Sequence, residues 1–154
     1  MQTFNKSERL CSTFHKEKLF SEGKRLFVFP FGITYIVERK NNPVFSSHQK
    51  IDEAADNNQI TGFGKPCKIL ISAPKKLFKK AVIRNKVKRL VREAFRKNKT
   101  LLYSFLEENQ LNCLLSVVYS SETILPYSKI EEKMMAGLKA LRADISKTIN
   151  DNNY

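Results

Sequence analysis

The chain has 154 residues, 42% of them hydrophobic, and its 28 Lys and Arg against 15 Asp and Glu give a formal net charge of +13. This length suits one domain, and the composition excludes a chain that is disordered throughout. The apolar run at residues 26–37 is too short to cross a bilayer and no apolar leader opens the chain, so we expect a cytoplasmic protein without membrane contact.

The first part of the chain predicts a helix followed by a strand. The helix has Ser12 or Thr13 as its N-cap and ends before Gly23. Residues 26–37 are rich in Phe, Ile, Val and Tyr, which favours a single strand. Residues 38–66 are polar and long for a loop, so we expect an excursion from the domain there.

Aromatic residues alternate along the predicted strand, and two interpretations of them stay open. The alternation places them on one face, where core packing is the first expectation, above all for Phe27 and Phe29. An exposed ring beside a basic helix is also suited to stacking on unpaired bases. Phe20 and Tyr35 are the candidates for that second role.

The second half of the chain predicts two strands and a long final helix. Residues 67–72 and 112–119 are the strands, and residues 73–80 form a basic connection after the first of them. Ser128 and Glu131 have the spacing of a capping box that opens the final helix. The apolar face of that helix carries Ile130, Met134, Leu138, Leu141 and Ile145.

Positive charge is concentrated in one stretch. Between Lys75 and Lys99 lie twelve of the 28 basic residues and a single acid, Glu93. Within it, residues 81–96 have apolar residues at the spacing of one helix face. The opposite face has almost no acids to offset its repulsion, so we expect an anionic partner; a merely solvated face would need far less charge. This face carries Arg84, Asn85, Lys88, Arg89, Arg92 and Arg96.

The order of elements predicts one α/β domain. A helix, strands, a helix, a strand and a final helix suggest a two-layer α/β (α+β) sandwich, with helices packed on a small sheet of three to five strands. We place the domain at residues 1–149 and expect residues 150–154 to form a frayed tail.

The sequence shows no catalytic centre of its own. Asp52, Glu53 and Asp56 form a local acidic cluster, but no His or Lys accompanies them in a recognisable motif, and a solvated face is the favoured interpretation. The three cysteines lack paired spacing and are interpreted as reduced thiols. We therefore predict no catalytic residue, and no metal or cofactor bound by the protein alone.

The segment Arg84-Asn85-Lys86-x-Lys88-Arg89-x-x-Arg92-Glu93 resembles the Arg-Asn-Arg motif helix of the protein subunit of bacterial ribonuclease P. Three further matches follow the order of that family: Phe4-x4-Arg9-Leu10, then Leu19-Phe20-x-x-Gly23, then Ile69-Leu70-Ile71-Ser72 with Lys75-Lys76. The resemblance implies the family's α/β sandwich with a left-handed β-α-β crossover. Residue patterns alone would have predicted the usual right-handed connection.

The resemblance also implies a function. It makes the chain a noncatalytic subunit of ribonuclease P, a ribonucleoprotein endoribonuclease whose catalytic RNA removes the 5′ leader of precursor tRNA with Mg²⁺ at the RNA active site. The implied partners are that catalytic RNA and precursor tRNA, with no protein partner. The basic helix agrees with this role, because it can neutralise phosphates while no residue set in the chain supplies hydrolysis.

We assign the basic helix chiefly to the catalytic RNA, and a cleft between the first helix and the sheet to the leader. The RNA-binding residues are Arg84, Asn85, Lys86, Lys88, Arg89, Arg92 and Arg96, with Lys75 and Lys76 able to reach either RNA. The leader-binding residues are Phe20, Phe31 and Tyr35. The chain departs from the family at Lys86, which replaces the motif's second Arg, at Lys16, where an aromatic is frequent, and at residues 77–80, which are one residue longer.

Alternatives from other classes stay open on the sequence alone. A structural RNA-binding protein of ribosomal type, with no part in cleavage, would also carry a basic helix. A duplex DNA binder would want a helix-turn-helix partner or a dimer seam, and neither is visible. A self-sufficient nuclease would cleave RNA with protein-bound metal ions.

Overall fold

The computed structural model describes residues 6–39 and 66–152, and all structural statements concern these residues. The first described element is a 3₁₀ turn, Lys6–Glu8. The elements that follow are helix α1 Thr13–Glu22, strands β1 Lys24–Val28, β2 Phe31–Arg39 and β3 Cys67–Ser72, helices α2 Ala81–Asn98 and α3 Thr100–Glu108, strand β4 Leu111–Tyr119 and helix α4 Tyr127–Asn152.

The four strands form one mixed sheet in the order β1-β2-β4-β3. β1 pairs with β2 and β2 with β4 in antiparallel fashion, whereas β3 and β4 are parallel. A parallel pair needs a crossover connection, which α2 and α3 supply. The α/β prediction is thereby confirmed, and the left-handed sense of the crossover stays a prediction.

The main core lies between one face of the sheet and helices α2, α3 and α4. A smaller cluster, formed by Leu10, Leu19 and Leu114, lies under α1 on the opposite face. β4 is therefore covered on both sides, and all its residues except Val118 are buried. A strand buried on both faces is expected to be almost continuously apolar, as β4 is.

The predicted single strand at residues 26–37 is in fact a hairpin. β1 ends at Val28, β2 begins at Phe31, and these two residues pair directly across the turn. Pro30 lies in the turn, where its missing amide hydrogen removes no hydrogen bond from the ladder. The boundary matters for function, because it decides which side chains share a face.

Other boundaries also differ from the prediction. The N-cap of α1 is confirmed at Ser12, whose Oγ accepts a hydrogen bond from the amide of His15 at 3.4 Å. α4 begins at Tyr127, so Ser128 lies inside the first turn and is not the predicted cap. The same helix continues to Asn152, so residues 150–152 of the predicted frayed tail are helical, and the rest of that tail lies outside the described residues. β2 continues to Arg39, and the rest of the excursion, with its acidic cluster at 52–56, lies outside the described residues.

Gly23 allows α1 to pack closely on the sheet. A Cβ atom at this position would lie 2.3 Å from the carbonyl oxygen of Leu19 and 2.7 Å from Cγ2 of Thr34. We expect Gly23→Ala to lower the free energy of unfolding by about 1–3 kcal/mol, because backbone would have to move. Urea denaturation measures this, with Gly32→Ala as the control, since its Cβ would meet nothing closer than 3.6 Å. Equal losses in both variants would contradict the close approach.

Candidate RNA interface

Helix α2 is amphipathic, as predicted. Its buried residues are Val87, Val91, Ala94 and Phe95, which join the main core. The remaining surface is what we call the basic face of α2. On it, Asn85, Lys86 and Arg89 are exposed, while Arg84, Lys88, Arg92 and Arg96 are half-buried.

Arg84 has a structural role that sequence reasoning missed. Its Nη1 donates to the carbonyl oxygens of Phe78 and Lys79, both at 2.9 Å. Lys80, the N-cap residue of α2, makes no side-chain cap. The side chain of Arg84 instead links residues 78 and 79 of the preceding connection to the helix. One edge of its guanidinium is therefore already engaged by the protein.

Arg96 is paired within the helix. Its Nε and Nη2 donate to the two carboxylate oxygens of Glu93 at 2.9 and 2.6 Å. This bidentate hydrogen bonding lowers the pKa of Glu93. The charge of Arg96 is thus partly offset, and the net positive charge of the basic face lies toward the N-terminal part of α2.

Lys75 and Lys76 are both exposed in the connection that follows β3. The turn that carries them is closed by the amides of Leu77 and Phe78, which donate to the carbonyl oxygen of Pro74 at 3.1 Å each. Phe78 is buried, and its ring lies 6.0 Å from that of Tyr119. The connection is therefore an anchored turn at the end of the sheet.

The face of the sheet under α1 is defined by strand pairing, because residues directly opposite each other share a face. Leu114 and Ile36 lie beneath α1. Gly32 lies four residues before Ile36 on β2, with Thr34 midway between them, and is therefore on the same face. The row at this end of the sheet, here called the open row, consists of Phe27, Gly32, Val118 and Ser72.

Phe31 and Tyr35 are not on this face, so the prediction that they bind the leader is wrong. Their exposed fractions are 0% and 2%, and both belong to the main core. The hydroxyl of Tyr35 donates to the carboxylate of Asp144 on α4, and burial, together with this bond, raises the pKa of the tyrosine. The two rings contact helices on the far side of the sheet.

Phe27 does lie on this face, although it was expected in the core. The side chain of Phe27 is 63% exposed and lies opposite Gly32 in the open row. Phe29, in the turn, is 51% exposed and corrects the same expectation. The signal in the sequence that could have shown this was Pro30, which favours a turn. Because the turn has two residues, Val28 and Phe31 share a face, and Phe27 therefore lies on the face opposite to Phe31.

Helix α1 presents one flank to the open row. His15 and Leu19 point down to the sheet, and Lys18 pairs with Glu38 at 2.6 Å, at the end of the sheet away from that row. At 100° per residue, Lys16 and Phe20 lie on the opposite flank of the helix. Phe20 is 49% exposed. We call the space between this flank and the open row the groove.

Metal ligands are not grouped in the part of the chain that the structure describes. Across residues 6–39 and 66–152, no three His, Cys, Asp or Glu side chains come together in a way that could hold a metal ion. Over the same residues, no helix combines the length and apolar character needed to span a membrane.

Comparison with known proteins decides the family of this chain. A model of the family described as Ribonuclease P matches residues 4–141. The chain belongs to the ribonuclease P protein family. It is 30% identical over 141 residues to the ribonuclease P protein component of Porphyromonas gingivalis strain ATCC 33277, with 92% of this chain and 88% of that relative covered.

Solved ribonuclease P proteins share the fold. The protein from Staphylococcus aureus superposes with a TM-score of 0.58 at 19% identity, covering 87% of this chain and 94% of that one. The protein from Thermotoga maritima superposes with a TM-score of 0.57 at 22% identity, covering 86% of this chain and 96% of that one.

As a member of this family, the chain is a subunit of the ribonucleoprotein endoribonuclease ribonuclease P, partners its RNA and serves the processing of tRNA 5′ ends. The ribosomal-type alternative is set aside.

Proposed function

We propose that the basic face of α2 binds the ribonuclease P RNA, while the groove binds the single-stranded 5′ leader of precursor tRNA. The observation that carries the second part is Phe27, an aromatic ring that is 63% exposed on an otherwise small-residue row of the sheet. Most of the area of this ring is left in contact with water by the folded domain. Stacking on an unpaired base would bury it.

The shape of the groove supports a flat ligand. Gly32 has no side chain and lies beside Phe27, so the floor of the groove is low next to the ring. Phe20 offers a second aromatic surface from α1, and Lys16 on the same flank offers a positive charge to the leader backbone. Bases that stack on such rings need no particular sequence, which suits leaders of differing sequence.

Lys75 and Lys76 extend this surface beyond the sheet. They follow β3 three and four residues after Ser72, which ends the open row, and both are exposed. We propose that they contact phosphates where the leader and the ribonuclease P RNA come together. This position agrees with their assignment to either RNA.

We propose that the chemistry belongs to the RNA, with Mg²⁺ held there. The chain's part would be to hold the leader and to neutralise phosphate charge, which raises the local affinity for substrate without a reacting group from the protein. In this proposal the chain works in the cytoplasm, together with its RNA. No step is assigned to a protein side chain.

The RNA assignment of α2 is tested by removing charge from its exposed face. Replacing Lys86, Lys88 and Arg89 with Ala should weaken binding to the ribonuclease P RNA. The slope of log affinity against log salt should fall by about 0.7–0.9 for each phosphate that is no longer neutralised. Filter binding over a salt series measures both quantities, and cleavage of precursor tRNA at low Mg²⁺ should fall in parallel.

A matched triple variant provides the control. Lys129, Lys139 and Lys147 are exposed on α4, and their replacement removes the same formal charge. That variant should keep both the affinity and the salt slope close to those of the unchanged protein. If the two variants behave alike, only net charge matters and the proposed α2 interface is wrong.

A further inference from the structure

The two faces of strand β1 are directed to different parts of the molecule. On the face toward α4, Nζ of Lys24 donates to Oγ1 of Thr148 at 2.7 Å, and Leu26 packs against the main core. Successive residues of a strand point to opposite sides of the sheet, so Arg25 and Phe27 share the other face. That face is the one under α1, where the groove lies.

Strand pairing places Arg25 close to the end of α1. Arg25 lies directly opposite Thr34 of β2, and residues at paired positions share a face of the sheet. The end of α1 packs on this row, because a Cβ atom at Gly23 would lie 2.7 Å from Cγ2 of Thr34. Arg25 is exposed, so its guanidinium borders the groove on the same edge strand as Phe27.

Two other basic residues of this region are engaged by the protein, whereas Arg25 is not. Nζ of Lys18 pairs with Glu38 at 2.6 Å, and Lys24 is held by α4. In the part of the chain that the structure describes, Arg25 makes no hydrogen bond, ion pair or ring contact. Its N–H donors are therefore available to a ligand in the groove.

We propose that Arg25 binds the phosphate of the leader nucleotide whose base stacks on Phe27. The inference rests on the proposed binding of the leader by the groove, and it names a residue that fixes the position of the leader backbone there. Arg25 and Phe27 are two residues apart on one strand face, a separation of about 6.6–6.8 Å. At this separation the guanidinium and the ring can contact the phosphate and the base of one nucleotide, and a planar guanidinium matches phosphate geometry.

A phosphate contact suits a site that must accept leaders of differing sequence. Neither a phosphate contact nor base stacking depends on the identity of the base, so the pair would hold any leader. Positive charge then lies at both edges of the sheet, with Arg25 on β1 and with Lys75 and Lys76 after β3. A leader that crosses the open row would thus meet a cation at each edge.

Removing one charge from either face of β1 tests the assignment. Arg25→Gln should weaken binding of precursor tRNA by the protein–RNA complex about tenfold or more, as expected for a charged hydrogen bond, and leave mature tRNA unaffected. The slope of log affinity against log salt should fall by about 0.7, the value for one phosphate of a single strand. Lys24→Gln is the control, since it removes the same charge from the face toward α4. If both variants lose the same affinity, only net charge matters and the inference is wrong.

Chemically modified leaders locate the contact. When one leader phosphate at a time is replaced by an uncharged methylphosphonate, binding to the unchanged complex should weaken at one linkage. Arg25→Gln should be insensitive at that linkage, because the contact is already lost. Removing one leader base at a time should identify the nucleotide at which Phe27→Ala has no further effect. The linkage and the base should belong to one nucleotide; positions two or more nucleotides apart, or an equal response at every linkage, would overturn the inference.

Failure of this inference is distinguishable from failure of the proposed function. If Phe27→Ala leaves the ratio of precursor to mature tRNA affinity unchanged, the groove does not bind the leader and both are wrong. If Phe27→Ala lowers that ratio but no linkage depends on Arg25, only the phosphate contact is wrong. Arg25→Gln should melt at the temperature of the unchanged protein, and a marked drop would identify a structural contact and overturn the inference.

Discussion

Replacing Phe27 with Ala should weaken binding of precursor tRNA by the protein–RNA complex while leaving mature tRNA almost unaffected. The ring offers a base a stacking surface worth about 1–3 kcal/mol, or roughly five- to 150-fold in affinity. Only the precursor carries a single-stranded leader, so the loss should be confined to it. Phe20→Ala should act in the same direction, and binding titrations with both tRNAs measure the ratio.

Matched aromatic residues give the controls for this experiment. Phe14 is 39% exposed on α1 but lies on the flank away from the open row, so Phe14→Ala should leave the precursor-to-mature ratio unchanged. Phe31 is fully buried, and Phe31→Ala should lower stability by about 3–5 kcal/mol and affect both tRNAs alike. A stable Phe27→Ala variant that binds both tRNAs equally weakly would contradict the leader assignment.

The basic helix was predicted well from the sequence because its signal is local. Ile83, Val87 and Val91 repeat at the spacing of one helix face, and the charges between them follow from the same geometry. The cap at Ser12 and the end of α1 before Gly23 were likewise confirmed, since each depends on a few neighbouring residues. Such features need no knowledge of distant pairing.

The leader residues were misplaced because the face of a strand depends on register. If residues 26–37 formed one strand, Phe27, Phe31 and Tyr35 would share a face. The turn at Pro30 pairs Val28 with Phe31 and so places Phe27 on the other side. A shift of one position moves every side chain to the opposite face, and the apolar pattern here did not distinguish the two.

Two other features were missed for different reasons. Helix α3 has a helical pattern at Leu102, Phe105 and Leu106, but it follows α2 after a single residue, and no turn signal in the sequence separates the two helices. The bonds from Arg84 to backbone carbonyls could not be predicted from a charge pattern, because a charged residue on a basic helix is expected to face its ligand. Only tertiary structure shows which arginines the protein itself engages.

Replacing Glu8 with Ala should be among the most destabilising single changes in the chain. It would leave the ammonium of Lys99 buried at 6% exposure without its carboxylate partner, and the hydroxyl of Tyr103 without its acceptor. Breaking a buried pair from one side typically lowers stability by about 3–5 kcal/mol. Urea denaturation of the purified chain measures the change in unfolding free energy.

The double variant Glu8→Ala with Lys99→Met tests the cause of that loss. If the uncompensated charge dominates, the double variant should recover part of the stability, and the cycle should give a coupling energy well above that of independent sites. The exposed pair Lys129–Glu132, 3.5 Å apart, is the control, and Glu132→Ala should change stability by about 0–1 kcal/mol. A loss at Glu8 no larger than this would show that Glu8 does not anchor the N-terminal segment.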